Sequence, residues 1–282
     1  MATNAVLARR RLAQGLRRYR QRAGLTIEDL ARELECSGAK VSRMETGIAG
    51  IRLHDVPPIA RVLELDDAEL AELTELTRRA RGKEWWHEFT DVVPPDSATF
   101  YGLEDGAASV RLHTTSLIPG LLQTADYARA LLGAAHDATR AVWERRLELR
   151  LRRQRILDRE NPPALTVLLD EAVLHREIGG PDVTAGQWRH VLHRVETAGV
   201  RVRVIPFRAP VHEAEGVTFT IFEFDHEDVT SVVYAEQPVQ NLFVDDPEAV
   251  GVYAAALAAA ESAATSIEDS LAMIAKHAGG GR

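Results

Sequence analysis

The chain has 282 residues, 45% of them apolar, and a formal net charge of −8. That length supports one large or two medium domains with full cores, and a single cysteine, Cys36, excludes an internal disulfide framework and cysteine-based zinc sites. No run approaches the roughly 18 apolar residues of a membrane span, and no apolar segment typical of a secretory signal follows Arg9-Arg10-Arg11, so a cytoplasmic protein is expected.

The charge is unevenly spread. Residues 1–61 carry twelve Arg and Lys against six acids, a net of +6, which leaves −14 for the other 221 residues. A basic head on an acidic body is the asymmetry expected when only the head meets phosphate.

In chain order, residues 1–8 are expected to fray. Residues 9–23 read as a helix with Leu12, Leu16 and Tyr19 inward, ended by Gly24-Leu25. Thr26 is an N-cap with Asp29 three residues on, and Ile27, Leu30, Ala31 and Leu34 recur at helical spacing. Glu35-Cys36 breaks that pattern, and Ser37 caps a further helix with Val41 and Met44 inward and Gly47 at its end. Its outer side shows Gly38, Ala39, Lys40, Ser42 and Arg43. Small residues followed by cations suit a helix laid into a DNA major groove. A fourth helix starts near Val56, with Pro57 and Pro58 in its first turn, and a fifth follows Asp66 to about Arg81. The predicted head, residues 1–81, is therefore all-α, of about five helices.

Residues 82–108 read as an aromatic-rich junction, with Trp85, Trp86, Phe100 and Tyr101 as interface or ligand-box candidates. Residues 109–160 read as mostly helical, ending in a long helix from about Asp137 to Glu160 whose many arginines suit a solvated face paired with acids. Beyond Pro162-Pro163 the period changes. Strands are predicted at Leu165–Leu169, Val200–Phe207, Val217–Phe224 and Val229–Ala235, with helices from Gln187, Asp246-Pro247 and Ser266. Residues 109–282 are thus an α+β domain with a sheet of about four strands.

Residues 12–65 resemble the Xre/phage-repressor helix-turn-helix family, through Leu16-Arg17-Arg18-Tyr19-Arg20, Gly24-Leu25-Thr26, Asp29-Leu30-Ala31 and Val41-Ser42-Arg43-Met44-Glu45-Thr46-Gly47. The resemblance implies an ion pair between Arg20 and Glu45. The chain departs from the family where Gln and early polar residues are common, carrying Ile27, Gly38 and Ala39 instead. Ala39 is suited to a thymine methyl, and Arg43 is left as the candidate for a bidentate guanine contact. Thr26, Ser37, Lys40, Ser42 and Arg52 are assigned to phosphate.

The body resembles the C-terminal region of actinobacterial Xre-family regulators often described as antitoxin-like. The segments are Tyr101-Gly102-Leu103-Glu104, Ile118-Pro119-Gly120-Leu121-Leu122-Gln123-Thr124-Ala125-Asp126-Tyr127, Leu169-Asp170-Glu171-Ala172, Ile178-Gly179-Gly180-Pro181 and Val204-Ile205-Pro206-Phe207. This implies a DNA-binding repressor, a homodimer, controlled by a small partner protein encoded nearby. The alternative is a one-component regulator whose body senses a small molecule. An enzyme would need Asp170, Glu171 and His175, or His212, Glu213 and Glu215, to converge. No zincin, phosphate-loop or nucleophile-elbow motif is present, so no catalytic residue, cofactor or metal is expected.

Overall fold

A computed structural model describes residues 4–133, 139–226, 229–237 and 239–279, and of Pro95 and Asp96 the backbone alone. The predicted start of the long helix at Asp137 and the tail glycines Gly280 and Gly281 lie outside the described residues. The chain divides into two compact units, residues 1–87 with 225–229, and residues 88–224 with 230–282.

The first unit is helical. α1 (Ala5–Arg22) begins earlier than the sequence suggests, because the Asn4 side chain caps it by accepting from the amides of Val6 and Leu7. Ala5, Leu7 and Ala8 are buried rather than frayed. α2 (Ile27–Glu33) and α3 (Gly38–Glu45) follow, then a 3-10 turn at Leu53–Asp55, α4 (Val56–Val62) with its prolines in the first turn, and α5 (Asp67–Arg79) behind an Asp66/Glu69 capping box. Their inward residues form one core that includes Leu12, Leu16, Leu30, Val41, Met44, Ile59 and Leu73.

The second unit is α+β, built on a six-stranded mixed sheet rather than four strands. Its elements are α6 (Pro95–Gly106), β1 (Ser109–Thr114), α7 (Ala125–Gly133), α8 (Arg140–Gln154), β2 (Ala164–Asp170), α9 (Ala172–His175), α10 (Pro181–Ala198), β3 (Arg201–Ile205), β4 (Phe219–Glu223), β5 (Val232–Ala235), β6 (Leu242–Val244), α11 (Pro247–Ala263) and α12 (Ile267–Ala278). The sheet order is β3-β2-β1-β4-β5-β6. β1, β2 and β3 run parallel, as helical crossovers require, and β4, β5 and β6 continue antiparallel. β1 lies in the stretch expected to be helical, and α6 in the stretch expected to be a junction. β6 is three residues long and is defined by its pairing to β5.

α11 covers one sheet face. Its Ala256, Leu257 and Ala260 pack with Leu168, Phe219, Ile221 and Val233. Small side chains on α11 let it lie close to the large ones of the sheet. The edge strand β3 is closed by α12 and the turn before it. The Val204 amide donates to Ser270 Oγ at 3.0 Å, and its carbonyl accepts from the Thr265 amide at 2.9 Å. An edge capped in this way has no free groups at that residue to template another strand.

The Ile118–Thr124 segment is a buried turn whose carbonyls are met by side-chain amides. Gln187 donates to Leu122 at 2.6 Å, Gln123 to Ile118 at 2.7 Å, and Gln154 to Gly120 and to Gln123, each at 2.7 Å. Arg150 donates to the Gln123 side chain. Buried backbone outside regular structure must find such partners, which gives this motif a structural rationale. The arginines of α8 are accordingly of two kinds, which corrects the expectation of a uniformly solvated face. Arg145 pairs with Glu148 at the surface, whereas the Arg153 guanidinium lies 2.5 Å from the buried Glu104 carboxylate. Burial pushes Glu104 up, against the pull of Arg153. Among the described residues no single helix is long and apolar enough to cross a membrane.

Candidate nucleic-acid interface

α2 opens on a reciprocal cap. Thr26 Oγ1 accepts from the Asp29 amide at 3.1 Å, and the Asp29 carboxylate accepts from both the Thr26 amide and its hydroxyl. The Thr26 hydroxyl and amide, helped by Arg32, hold the Asp29 carboxyl below its usual range. The Thr26 hydroxyl hydrogen is thereby committed within the cap.

The turn after α2 closes by two backbone bonds, Cys36 N–H to the Ala31 carbonyl at 2.9 Å and Glu35 N–H to the Arg32 carbonyl at 3.1 Å. This is the Schellman arrangement, and it places Glu35 at φ 50°, the left-handed region. Cys36 is partly buried against the helical core.

Ser37 then caps α3, its Oγ accepting from the Lys40 amide at 3.2 Å. Val41 and Met44 are buried beneath α3. Ser37, Ala39 and Arg43 are exposed, and Gly38, Lys40 and Ser42 are half-buried. Gly47, at φ 73°, ends the helix, and the Ala49 amide returns to the Arg43 carbonyl at 2.8 Å.

α3 is locked to α1 by charge. Arg20 donates from Nε to Glu45 Oε1 at 2.6 Å and from its second terminal nitrogen to Glu45 Oε2 at 2.8 Å. Its remaining terminal nitrogen donates to the Leu25 carbonyl at 2.8 Å. Both side chains are nearly buried. A planar guanidinium satisfied by a carboxylate on one edge and a carbonyl on the other fixes orientation as well as distance.

The candidate contact residues therefore differ in what they have left to offer. Arg43 and Arg52 project guanidinium groups with no ion-pair or hydrogen-bond partner among the described residues. Lys40 is held by Asp55 at 3.1 Å, and the same carboxylate accepts from the Arg52 amide at 2.9 Å. Desolvation works to raise Asp55, and the Arg52 amide and Lys40 outweigh it, so its carboxyl is held below the usual range. Asp55 escaped the sequence reading. Its signal is the position three residues after Arg52, where a side chain reaches back to a turn amide.

The other candidates fall in both units. Trp85 and Trp86, in the first, meet edge to face at 5.5 Å between ring centres. Phe100 and Tyr101, in the second, meet at 5.8 Å, and Phe100 also packs against Phe222 and Tyr234 at 5.5 and 4.5 Å beneath the Arg153 guanidinium. The Phe100 ring is thus a packing element of the sheet's neighbourhood.

At the end of β2, Asp170 accepts from the Ala172 amide and Glu171 from the Phe207 amide, each at 2.7 Å. His175 stacks on Phe207 and lies 3.6 Å from Glu171. His212 lies 3.5 Å from Glu215 and meets His113 edge to face at 5.7 Å. Glu213 is exposed. His113, buried on β1, was also missed. Its Nδ1 lies 2.7 Å from the Val217 carbonyl, and its Nε2 has no hydrogen-bond partner among the described residues.

Residues 11–73 match a helix-turn-helix domain, which spans α2 and α3 and the locking pair, and residues 97–276 match a domain of unknown function, DUF5753. No curated protein and no solved structure matches the chain. The second match covers more than half of the sequence, and the chain belongs to the DUF5753 family, with a helix-turn-helix domain ahead of that region.

Proposed function

We propose that the protein is a sequence-specific transcriptional regulator of double-stranded DNA, of the Xre type known from actinobacteria. It acts in the cytoplasm as a homodimeric repressor and has no enzymatic activity or cofactor. The observation that carries the reading is the state of α3. It is a short helix, buried on one side, oriented by the Arg20–Glu45 pair and presenting an uncommitted Arg43 on its exposed side.

In this reading α3 enters the major groove, Arg43 reads a guanine edge, and Ala39 lies against a thymine methyl. Ser37, Ser42, Arg52 and the first amides of α3 hold phosphates. Two copies related by a two-fold address half-sites about 34 Å apart or a multiple of that. The acidic C-terminal region receives the signal by antitoxin-like binding of a small partner protein, which changes DNA affinity through its preference for one state of the regulator.

The test is a mobility-shift assay with the region upstream of the protein's own gene, beside a shuffled duplex of equal composition. Specific retardation that falls with salt supports the reading, and equal affinity for both duplexes refutes it. Molar mass by light scattering tests the dimer. Affinity purification from the native cell tests the partner, which should appear in stoichiometric amount.

A further inference from the structure

The second unit holds a cavity of about 310 Å³ where β2 and β3 meet the break between α11 and α12. This is the size of a site for a metabolite rather than for a larger ligand. Its lining is polar in a particular way. Thr166 and Arg201 stand opposite each other in register on β2 and β3. Thr166 is only 8% exposed, yet its hydroxyl has no hydrogen-bond partner among the described residues. The hydroxyl is reached from the cavity, so a group entering there can bond it in place of water.

The charges around the hydroxyl are of two kinds. Arg203 is already used, donating to the carbonyls of Thr265 and Ala264 at 2.8 Å each, so it acts as a fixed wall. Glu261 is shared loosely between Arg111 and Arg203, at 3.5 and 3.8 Å. Arg201 and Glu268 are different. They are opposite charges lining one cavity, and neither has an ion-pair partner within 4 Å among the described residues, the other included. Beside them is the first turn of α12, where the Asp269 amide is met by Ser266 Oγ at 3.0 Å and the Asp269 carboxylate accepts from the Ser266 hydroxyl, which leaves the amides of Ile267 and Glu268 with no carbonyl four residues back to meet them.

We propose that this cavity binds a free amino acid. Its carboxylate is taken by the Arg201 guanidinium and the amides of Ile267 and Glu268, which supply the cation and the donors an anion needs. Its ammonium is taken by Glu268, with Glu261 as a second acceptor. Thr166 supplies a neutral hydrogen bond at the base. A simple anion satisfies only half of this lining, and a simple amine only the other half.

Isothermal titration calorimetry on the full-length protein without DNA tests the proposal. Each of the common L-amino acids is titrated, with inorganic phosphate, acetate and ethylamine as single-charge probes. Saturable binding of at least one amino acid is expected, with none of the single-charge probes matching it. Arg201→Ala and Glu268→Gln, both at exposed positions, should each weaken binding about tenfold or more, the scale of one charge-assisted hydrogen bond. The near-isosteric Thr166→Val should weaken it severalfold with an unchanged circular dichroism spectrum. Absence of saturable binding by any amino acid at millimolar concentration overturns the proposal. So does phosphate or acetate binding as tightly as the best amino acid, or an Arg201→Ala variant that binds like the parent. None of these outcomes bears on DNA binding, which rests on other residues.

Discussion

Arg20 and Glu45, 25 residues apart in sequence, share two charge-assisted hydrogen bonds of 2.6 and 2.8 Å, and the same guanidinium also holds the Leu25 carbonyl. One side chain thus joins the end of α1, the entry to α2 and the end of α3. Removing one partner strands the other in a nearly dry site. Arg20→Ala should cost about 3 kcal/mol of stability, measured by urea unfolding. The double variant Arg20→Met with Glu45→Leu should recover most of it, because replacing both charges leaves nothing unpaired. A single variant within about 0.5 kcal/mol of the parent, the range of an ordinary surface change, would show that the pair is not structural.

Arg43 lies on the exposed side of α3 with no partner for its guanidinium among the described residues. Arg43→Ala should weaken specific DNA binding by roughly 10- to 100-fold, the worth of one bidentate base contact. Non-specific binding and the circular dichroism spectrum should hardly change. Arg43→Lys should restore affinity only in part, since an ammonium lacks the planar fork.

Glu35 sits in the left-handed region at φ 50°, where the turn between α2 and α3 needs the sixth-to-first bond of Cys36 to Ala31. Glu35→Gly should therefore stabilise the first unit, by about 0.5–1 kcal/mol, as glycine at this cap carries no side-chain clash. A lower thermal midpoint in the variant would contradict this account.

Ser270 is fully buried and supplies the oxygen that accepts the Val204 amide at the edge of the sheet. Ser270→Ala leaves that amide with no acceptor and should destabilise by about 1–3 kcal/mol. Ser270→Thr retains the oxygen but adds a methyl group to a filled site, so its cost isolates packing from hydrogen bonding. Urea midpoints of the two variants give the comparison.

His113 is held below the usual imidazole range, first by burial and then by His212, with the Val217 carbonyl opposing. Burial does the same for His190 and His277. As pH falls below about 6.5, these rings take up protons in the unfolded chain before they do in the folded one. Their contribution is therefore present above that pH and lost as pH falls toward the folded values, most for the deeply buried His113 and less for His190 and His277, which solvent screens. Urea midpoints should drop between about pH 7 and pH 5. His113→Gln should flatten the drop, and an unchanged slope would exclude His113 as a contributor.

Much of the first unit was legible because its signals are local. Caps at Thr26, Ser37 and Asp66 and a 3.6-residue apolar period are carried by neighbouring residues, and they define α2, α3 and α5 closely. The start of α1 was not legible. The Asn4 cap and the burial of Leu7 depend on the rest of the core. In the sheet, β2 announces itself as a run of apolar residues buried on both faces, whereas β1 does not. Arg111 and His113 alternate with Val110 and Leu112 as on a half-solvated strand, yet His113 is fully covered.

By itself the sequence determined the two kinds of architecture, the basic head, and the helix pair with its caps, because propensity, periodicity and charge count act over a few residues. Only the tertiary structure decided what each cation is left free to do. Arg43 and Lys40 look alike in the sequence, three residues apart on one helix. Asp55 reaches across from the next turn to hold Lys40, and among the described residues no acid pairs with Arg43. It also decided the order of the sheet, which sets β1 between β2 and β4 and brings Thr166 and Arg201 side by side at one cavity. Pairings between distant segments depend on the free energy of the whole packed chain, and no local stretch contains them.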